Sequence, residues 1–125
     1  MAEITDKYMK ELLLNAKNYT VVILKKTEKI NEAGTDEIKY EHGKRNFQLR
    51  EEGIMSIVCR INDDSNISGV AIFNVNPEEV EKIMDGDPGV IAGIFTYEIH
   101  LCSSFTGDKL PWYDGLSRIK YVLNC

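Results

Sequence analysis

The order of strand-like and helix-like segments is the feature that most constrains the fold of this chain. Short runs rich in apolar and β-branched residues are typical of strands, and helical patterns separate the first run from the second and the third from the fourth. The four strand-like runs cover residues 19–26, 54–61, 67–75 and 93–102. The chain therefore reads strand, helix, strand, strand, helix, strand.

Both helical segments have recognisable ends. Thr35 is expected to cap the first, which carries acidic residues in its first turn and should end at Gly53. The second begins with Asn76 as cap and Pro77 at the first helical position, and Gly86 should end it. The turn-forming stretch "NDDSN" predicts that the second and third strands form a hairpin.

Right-handed crossovers turn this order into an antiparallel sheet with both helices on one face. The predicted class is therefore α+β, with the ferredoxin-like βαββαβ arrangement. The other sheet face then needs a cover. An extra amphipathic N-terminal helix over 5–17, the C-terminal extension 103–125 or a second subunit are the three alternatives.

Length and charge narrow the possible functions. The 125 residues suit one domain, with a core over about 19–102, and are enough to bury a hydrophobic core. The net charge of −5, without a basic block, disfavours binding to nucleic acid. The charged N-terminus has no signal-like apolar segment, and no run approaches the length of a membrane span. We therefore expect a cytoplasmic protein that binds neither membranes nor nucleic acid.

The three cysteines are Cys59, Cys102 and Cys125. They are far apart and odd in number, which argues against a disulfide framework or a zinc site. Cys59 and Cys102 lie in apolar runs, where free cysteine usually behaves as a small buried hydrophobic residue. An exposed terminal thiol at Cys125 is expected to be incidental.

His42 is the first candidate for chemistry. On a helix it shares a face with the apolar residues Ile38 and Leu49, so it should point inward, with Arg45 on the same side. An inward histidine is either a hydrogen-bonded structural residue or a general acid–base group.

Two landmarks give the chain a family resemblance. His42 stands eleven residues before Gly53 in "EHGKRNFQLREEG", and "DGDPGVIAGIFTYEIH" contains an Asp-Pro-x-Val-x-x-Gly stretch followed by a strand. In both respects the chain resembles the YCII-related family of the dimeric α/β-barrel superfamily, over roughly residues 19–102. The segment "CSSFTGDKLP" resembles a subgroup of small bacterial proteins, except that Thr106 replaces a proline.

The resemblance implies a homodimer packed sheet to sheet, with a histidine and an aspartate meeting in a small-molecule cleft. By position these are His42 and Asp87, with proton transfer by the histidine. It further implies a cofactor-independent isomerase or lyase. The alternative is a non-catalytic dimeric binding or accessory protein with a structural His–Asp pair. Cys59 and Arg60 stand where family members usually have Gly-Pro, so they are candidate cleft residues and a departure from the family pattern.

Asp87 and Arg45 also have plain structural interpretations. The residue before a proline is pushed out of helical conformation, so Asp87-Pro88 should end the preceding helix after Met84 whatever the acid does. Arg45 is placed to bind an anionic substrate group, or alternatively to pair with Glu41 or Glu52 at the surface.

The last strand alternates polar and apolar residues. Its apolar set should face the helices, which leaves Glu98 and His100 on the presumed dimer side as cleft residues or, in preference, as interface hydrogen-bonding residues. With only two histidines in the chain, a multi-histidine metal site is not expected. No nucleotide-binding glycine loop, nucleophile elbow or zinc-protease motif is present either, so no cofactor is predicted.

Overall fold

A computed structural model describes residues 3–112 of the chain. Its helices are α1 (Asp6–Leu14), α2 (Thr35–Glu51), α3 (Pro77–Asp85) and α4 (Pro88–Ile91), with a 3₁₀ turn at Glu28–Asn31. Its strands are β1 (Ala16–Lys26), β2 (Met55–Arg60), β3 (Ile67–Phe73) and β4 (Phe95–Phe105). After α1, the order contains the predicted βαββαβ pattern, with the short α4 as an addition.

The four strands form one antiparallel sheet in the order β2-β3-β1-β4. The second and third strands pair as the expected hairpin, with Val58 opposite Ala71, and β3 pairs with β1, with Ala71 opposite Val22. In this order β3 and β2 lie on one side of β1, and β4 lies on the other side. The predicted ferredoxin-like α+β arrangement is confirmed.

The core lies between the helices and one face of the sheet. Residues directly opposite each other on paired strands share a face, so Val22, Ala71 and Val58 point the same way. Val22 and Ala71 are buried in one cluster with Leu49 of α2 and Val80 of α3. This side of the sheet is the helix face.

The other side of the sheet, which we call the open face, carries apolar residues that remain partly exposed. It is defined here by Val21 and Ile23 of β1, Val70 and Ile72 of β3, and Ile57 of β2. The alternation of fully buried and half-buried residues along β1 follows directly from the two-residue period of a strand. An apolar sheet face of this kind is suited to packing against another layer.

The chain divides into two compact units, which are described separately. One comprises residues 18–103 and holds the helix face, its core and most of the sheet. The other comprises 1–17 and 104–125; within it, Thr5 caps α1 by accepting a hydrogen bond from the amide of Tyr8, and α1 has no buried residue. The single-domain organisation with a core over 19–102 stays a prediction, as does the role of Cys125, which lies outside the described residues.

Several element boundaries differ from the sequence predictions. Strand β1 begins at Ala16 instead of residue 19, and β4 covers Phe95–Phe105 instead of 93–102. The N-terminal helix ends at Leu14 rather than Lys17, because β1 already begins at Ala16. Thr35 is not the cap of α2. Gly34 holds that position with φ of 84°, a left-handed conformation that favours glycine, and the hydroxyl of Thr35 donates to the carbonyl of Ile30 instead.

The segment after α3 differs more. The helix ends at Asp85, one residue beyond Met84, and Gly86 is its C-cap, as predicted. The chain then enters α4, a single helical turn that the sequence analysis did not predict. Within residues 3–112, no helix is long and apolar enough to cross a membrane.

Candidate functional site

Asp87 is the N-cap of α4. Its extended backbone precedes Pro88 at the first helical position, and one side-chain oxygen, Oδ2, accepts hydrogen bonds from the amides of Gly89 at 2.9 Å and Val90 at 3.2 Å. The side chain is 1% exposed. Two backbone amides therefore hold the carboxylate in one orientation and leave its other oxygen, Oδ1, for a different partner.

That partner is His42. Its Nδ1 lies 2.7 Å from Oδ1 of Asp87, across the contact between α2 and α4. Because an ionised carboxylate only accepts hydrogen bonds, the proton is assigned to Nδ1 of the imidazole. The His42 side chain is 14% exposed. The two residues, 45 positions apart in the sequence, thus form a buried hydrogen-bonded pair.

The surroundings of Asp87 favour its charged form. Burial acts to raise the pKa of Asp87, but the hydrogen bond and charge of His42, together with the amides of Val90 and Gly89, outweigh it and lower the pKa below its ordinary value of 3.8. Asp87 is therefore an ionised acceptor near neutral pH, able to orient His42 and to stabilise a positive charge on its ring.

Arg45 lies one turn further along α2. Its Nη1 is 3.9 Å from Oδ1 of Asp87, which is an ion-pair distance but too long for a hydrogen bond. Its side chain is 27% exposed. In the described part of the chain its ion-pair partner is Asp87, and the alternative surface pairing with Glu41 or Glu52 is not formed there.

Two neighbours of His42 were not identified from the sequence. Nδ2 of Asn46 lies 3.3 Å from Nε2 of His42, and the ring of Phe95 lies 4.8 Å from the imidazole at 49° between planes. Asn46 stands four residues after His42 on α2, a spacing that brings side chains together on a helix. The spacing of four residues could therefore have predicted that Asn46 lies beside His42. For Phe95 the sequence indicates only an apolar residue and not its contact with His42.

Gly89 allows α4 to pack closely against β4. A Cβ atom at this position would lie 2.3 Å from a ring atom of Phe95 and 3.1 Å from Oδ2 of Asp87. Because the Phe95 ring belongs to the buried core, it has little room to move. The Asp-Pro-Gly stretch therefore combines a cap, a helix start and a close approach in three residues.

The other predicted site residues do not join this group. Cys59 is opposite Val70 on the open face and is exposed, so the expectation that it is buried was wrong. Arg60 ends β2 opposite Gly69. Because Tyr97 and Ile99 pack against the core, the alternation of β4 puts Glu98 and His100 on the open face as well. Glu98 and His100 were predicted on this side of the sheet.

A second polar cluster forms on the open face. Lys25 and His100 both contact the Glu98 carboxylate, the latter through Nε2 at 3.3 Å. The hydrogen bonds from Lys25 and then His100 lower the pKa of Glu98. Across residues 3–112, no group of three or more His, Cys, Asp or Glu side chains is arranged to hold a metal ion.

No protein-family model matches the chain, and no curated protein sequence matches it. Eight chains of solved structures do match. One is 5-chloro-2-hydroxyhydroquinone dehydrochlorinase (TftG) from Burkholderia phenoliruptrix AC1100, in complex with 2,5-dihydroxybenzoquinone. It has 15% sequence identity and a TM-score of 0.45, and the alignment covers 66% of this chain and 90% of that one. A likeness at this level says nothing about the substrate of this chain.

Proposed function

We propose that the chain is a cytoplasmic, cofactor-independent isomerase or lyase of the YCII-related type, in which His42 transfers a proton and Asp87 positions it. The observation that carries the proposal is the 2.7 Å contact between Nδ1 of His42 and the buried carboxylate of Asp87. With Nδ1 bonded to the carboxylate, Nε2 is the basic nitrogen of the neutral ring.

The proton transfer follows from this arrangement. Nε2 removes a proton from a carbon made acidic by a neighbouring electron-withdrawing group, and the ring becomes positively charged beside Asp87. In a substrate with a double bond next to that carbon, the electron pair shifts the double bond by one position. His42 then returns the proton to the carbon at the far end of the original double bond, which is an isomerisation. In an elimination, the same electron pair instead forms a double bond to the adjacent carbon and expels an anionic leaving group, and the proton held by His42 leaves with that group or passes to water.

Arg45 supports a small anionic substrate. Its guanidinium is always charged and carries five N–H donors, yet its ion-pair contact with Asp87 is long at 3.9 Å. The guanidinium therefore keeps donors for a carboxylate or phenolate near His42. In this proposal it binds the anionic group.

We further propose that the protein is a homodimer through the open face. The supporting observation is the band of half-buried apolar residues there, flanked by Lys25, Glu98 and His100. Light scattering should give twice the 14.2 kDa chain mass at micromolar concentration. A mass of one chain would refute the dimer, but it would not affect the proposal that His42 transfers a proton.

The second candidate function is a non-catalytic ligand-binding or accessory protein. Two observations favour it: Asp87 already has a structural task as the cap of α4, and Nε2 of His42 already has Asn46 as a neighbour. In that case the His–Asp pair stabilises the contact between α2 and α4 and performs no chemistry.

A screen of small anionic compounds separates the two functions. Each compound is incubated with the wild-type chain, His42→Gln and the matched control His100→Gln, and products are detected by mass spectrometry. If His42 transfers the proton, His42→Gln should lower turnover by about 10²–10⁴-fold, and His100→Gln should retain it. Turnover that survives in a folded His42→Gln variant would contradict the enzyme proposal, and ligand binding without turnover in any variant would favour the second function.

A further inference from the structure

The nitrogen of His42 that the proposed reaction needs is not open in the structure. Asn46, one turn along α2, places its side-chain nitrogen 3.3 Å from Nε2. Both residues are half-buried and belong to the same helix. The helix therefore supplies both the histidine and the group that covers it.

The remaining surroundings of the ring leave Asn46 as the group at Nε2. Nδ1 is bonded to Asp87 of α4, and Phe95 of β4 packs against the ring. Arg45 in turn contacts Asp87. In residues 3–112, no buried side-chain nitrogen or oxygen lacks a hydrogen-bond partner.

The two hydrogen bonds of the imidazole differ in strength. The bond to Asp87 is short and involves a charged acceptor, whereas the bond from the Asn46 amide joins two neutral groups at 3.3 Å. Charge-assisted hydrogen bonds are roughly twice as strong as neutral ones. An arriving molecule therefore exchanges with Asn46 far more readily than with Asp87.

We propose that Asn46 is a positioning residue that covers Nε2 of His42, and that a substrate reaches this nitrogen by replacing the Asn46 amide as its hydrogen-bond partner. This inference rests on the proposed function. The Nδ2–H of Asn46 donates to the lone pair of Nε2, so it holds the ring in the neutral Nδ1–H form. The substrate group that takes its place must itself carry a proton for Nε2, such as a hydroxyl or an acidic C–H. The released amide then bonds an oxygen of the substrate.

Diethyl pyrocarbonate, which reacts with an unprotonated imidazole nitrogen, tests whether Nε2 is covered. The chain has two histidines, so His100 serves as an internal reference in every sample. The rates for the peptides containing His42 and His100 are measured by mass spectrometry for the wild type, Asn46→Ala and Gln48→Ala. Gln48→Ala is the matched control because it removes an exposed amide from the same helix.

Asn46→Ala should raise the His42-to-His100 rate ratio by roughly two- to tenfold, the factor set by one net hydrogen bond. Gln48→Ala should leave the ratio unchanged. An unchanged ratio in Asn46→Ala with a wild-type circular dichroism melt would overturn the inference.

Should Asn46→Ala fail to fold, the ring nitrogens of the wild type are read by long-range ¹H–¹⁵N NMR. A proton on Nδ1 and none on Nε2 supports the inference, and the reverse overturns it. Neither measurement uses turnover. An unchanged labelling ratio overturns this inference alone, whereas a proton on Nε2 overturns it together with the proposed reaction.

Discussion

Residues 3–112 contain two histidine–carboxylate contacts, one on each side of the sheet. His42 and Asp87 meet on the helix side at 2.7 Å, with the aspartate 1% exposed. His100 and Glu98 meet on the open face at 3.3 Å, with side chains 57% and 43% exposed. In both pairs the pKa of the carboxyl group is lowered.

The two pairs differ in what fixes the carboxylate. Backbone amides of α4 hold one oxygen of Asp87, so the carboxylate is fixed and its other oxygen accepts the hydrogen bond of the imidazole from one direction. Glu98 is held by the flexible side chain of Lys25 and is open to water and salt. The same residue types therefore give an oriented acid–base pair in one place and a surface ion pair in the other. Burial and backbone anchoring make the difference.

Replacing Asp87 should have the largest effect. Asp87→Ala removes the cap of α4 and leaves the Nδ1–H of His42 and two amides without their acceptor. We expect a loss of about 3–5 kcal/mol in the free energy of unfolding, measured by urea denaturation. Glu98→Ala is the control and should leave the unfolding midpoint nearly unchanged. Similar losses in the two variants would contradict the contrast between the pairs.

Gly89→Ala should have the next largest effect. The added methyl group meets the Phe95 ring, and we expect a loss of about 1–3 kcal/mol in the free energy of unfolding. Gly43→Ala is the matched control, because Gly43 lies within α2 and a Cβ atom added there would meet no neighbouring group within 4 Å. That change should stabilise the helix by up to about 1 kcal/mol. Thermal melts of both variants give the test, and a Gly89→Ala protein as stable as the wild type would show that α4 can move away from β4.

Acid should weaken the buried pair through Asp87. Its pKa is lower in the folded chain than the ordinary value of 3.8, so its stabilisation is fully present above that value and is lost as the pH falls through the folded pKa. The free energy of unfolding of the wild type should therefore fall below about pH 4, and more steeply than that of Asp87→Asn. Parallel curves for the two proteins would show that Asp87 does not carry this dependence.

The smallest effect is expected at the exposed pair. Glu98→Gln removes the charge that contacts Lys25 and His100, but water and salt already screen that charge. We expect the unfolding midpoint at physiological salt to match that of the wild type, with a difference only at low salt. A large loss at high salt would contradict this expectation, because it would mean that the proposed dimer covers the pair instead of leaving it at the margin of the interface.

Much of this architecture could be predicted from local sequence. Alternation and β-branched runs located the four strands, and Asn76-Pro77 marked the start of α3. These signals work because they depend on neighbours in the sequence. The cap of α2 was wrong by one residue, because Gly34 supplies a left-handed backbone that no side-chain cap signal announces.

The site could be predicted only in part. The spacing of His42 with Ile38 and Leu49 predicted its inward direction, and the family resemblance supplied Asp87 as its partner. The sequence did not predict that Asp87 begins a new helix, because a single turn such as α4 has too few residues for a periodic pattern. Asn46 stands four positions from His42 but was not predicted, because a neutral amide adds neither charge nor apolar periodicity to the helix pattern.

The coupling between His42 and Asp87 is the quantity on which the proposed chemistry depends. A double-mutant cycle with His42→Ala and Asp87→Ala, measured by urea unfolding, isolates it, and the same cycle with His100→Ala and Glu98→Ala is the reference. We predict a coupling of about 1–3 kcal/mol for the buried pair and none beyond experimental error for the exposed pair. Additive losses for His42 and Asp87 would contradict the claim that the two residues act as one oriented unit.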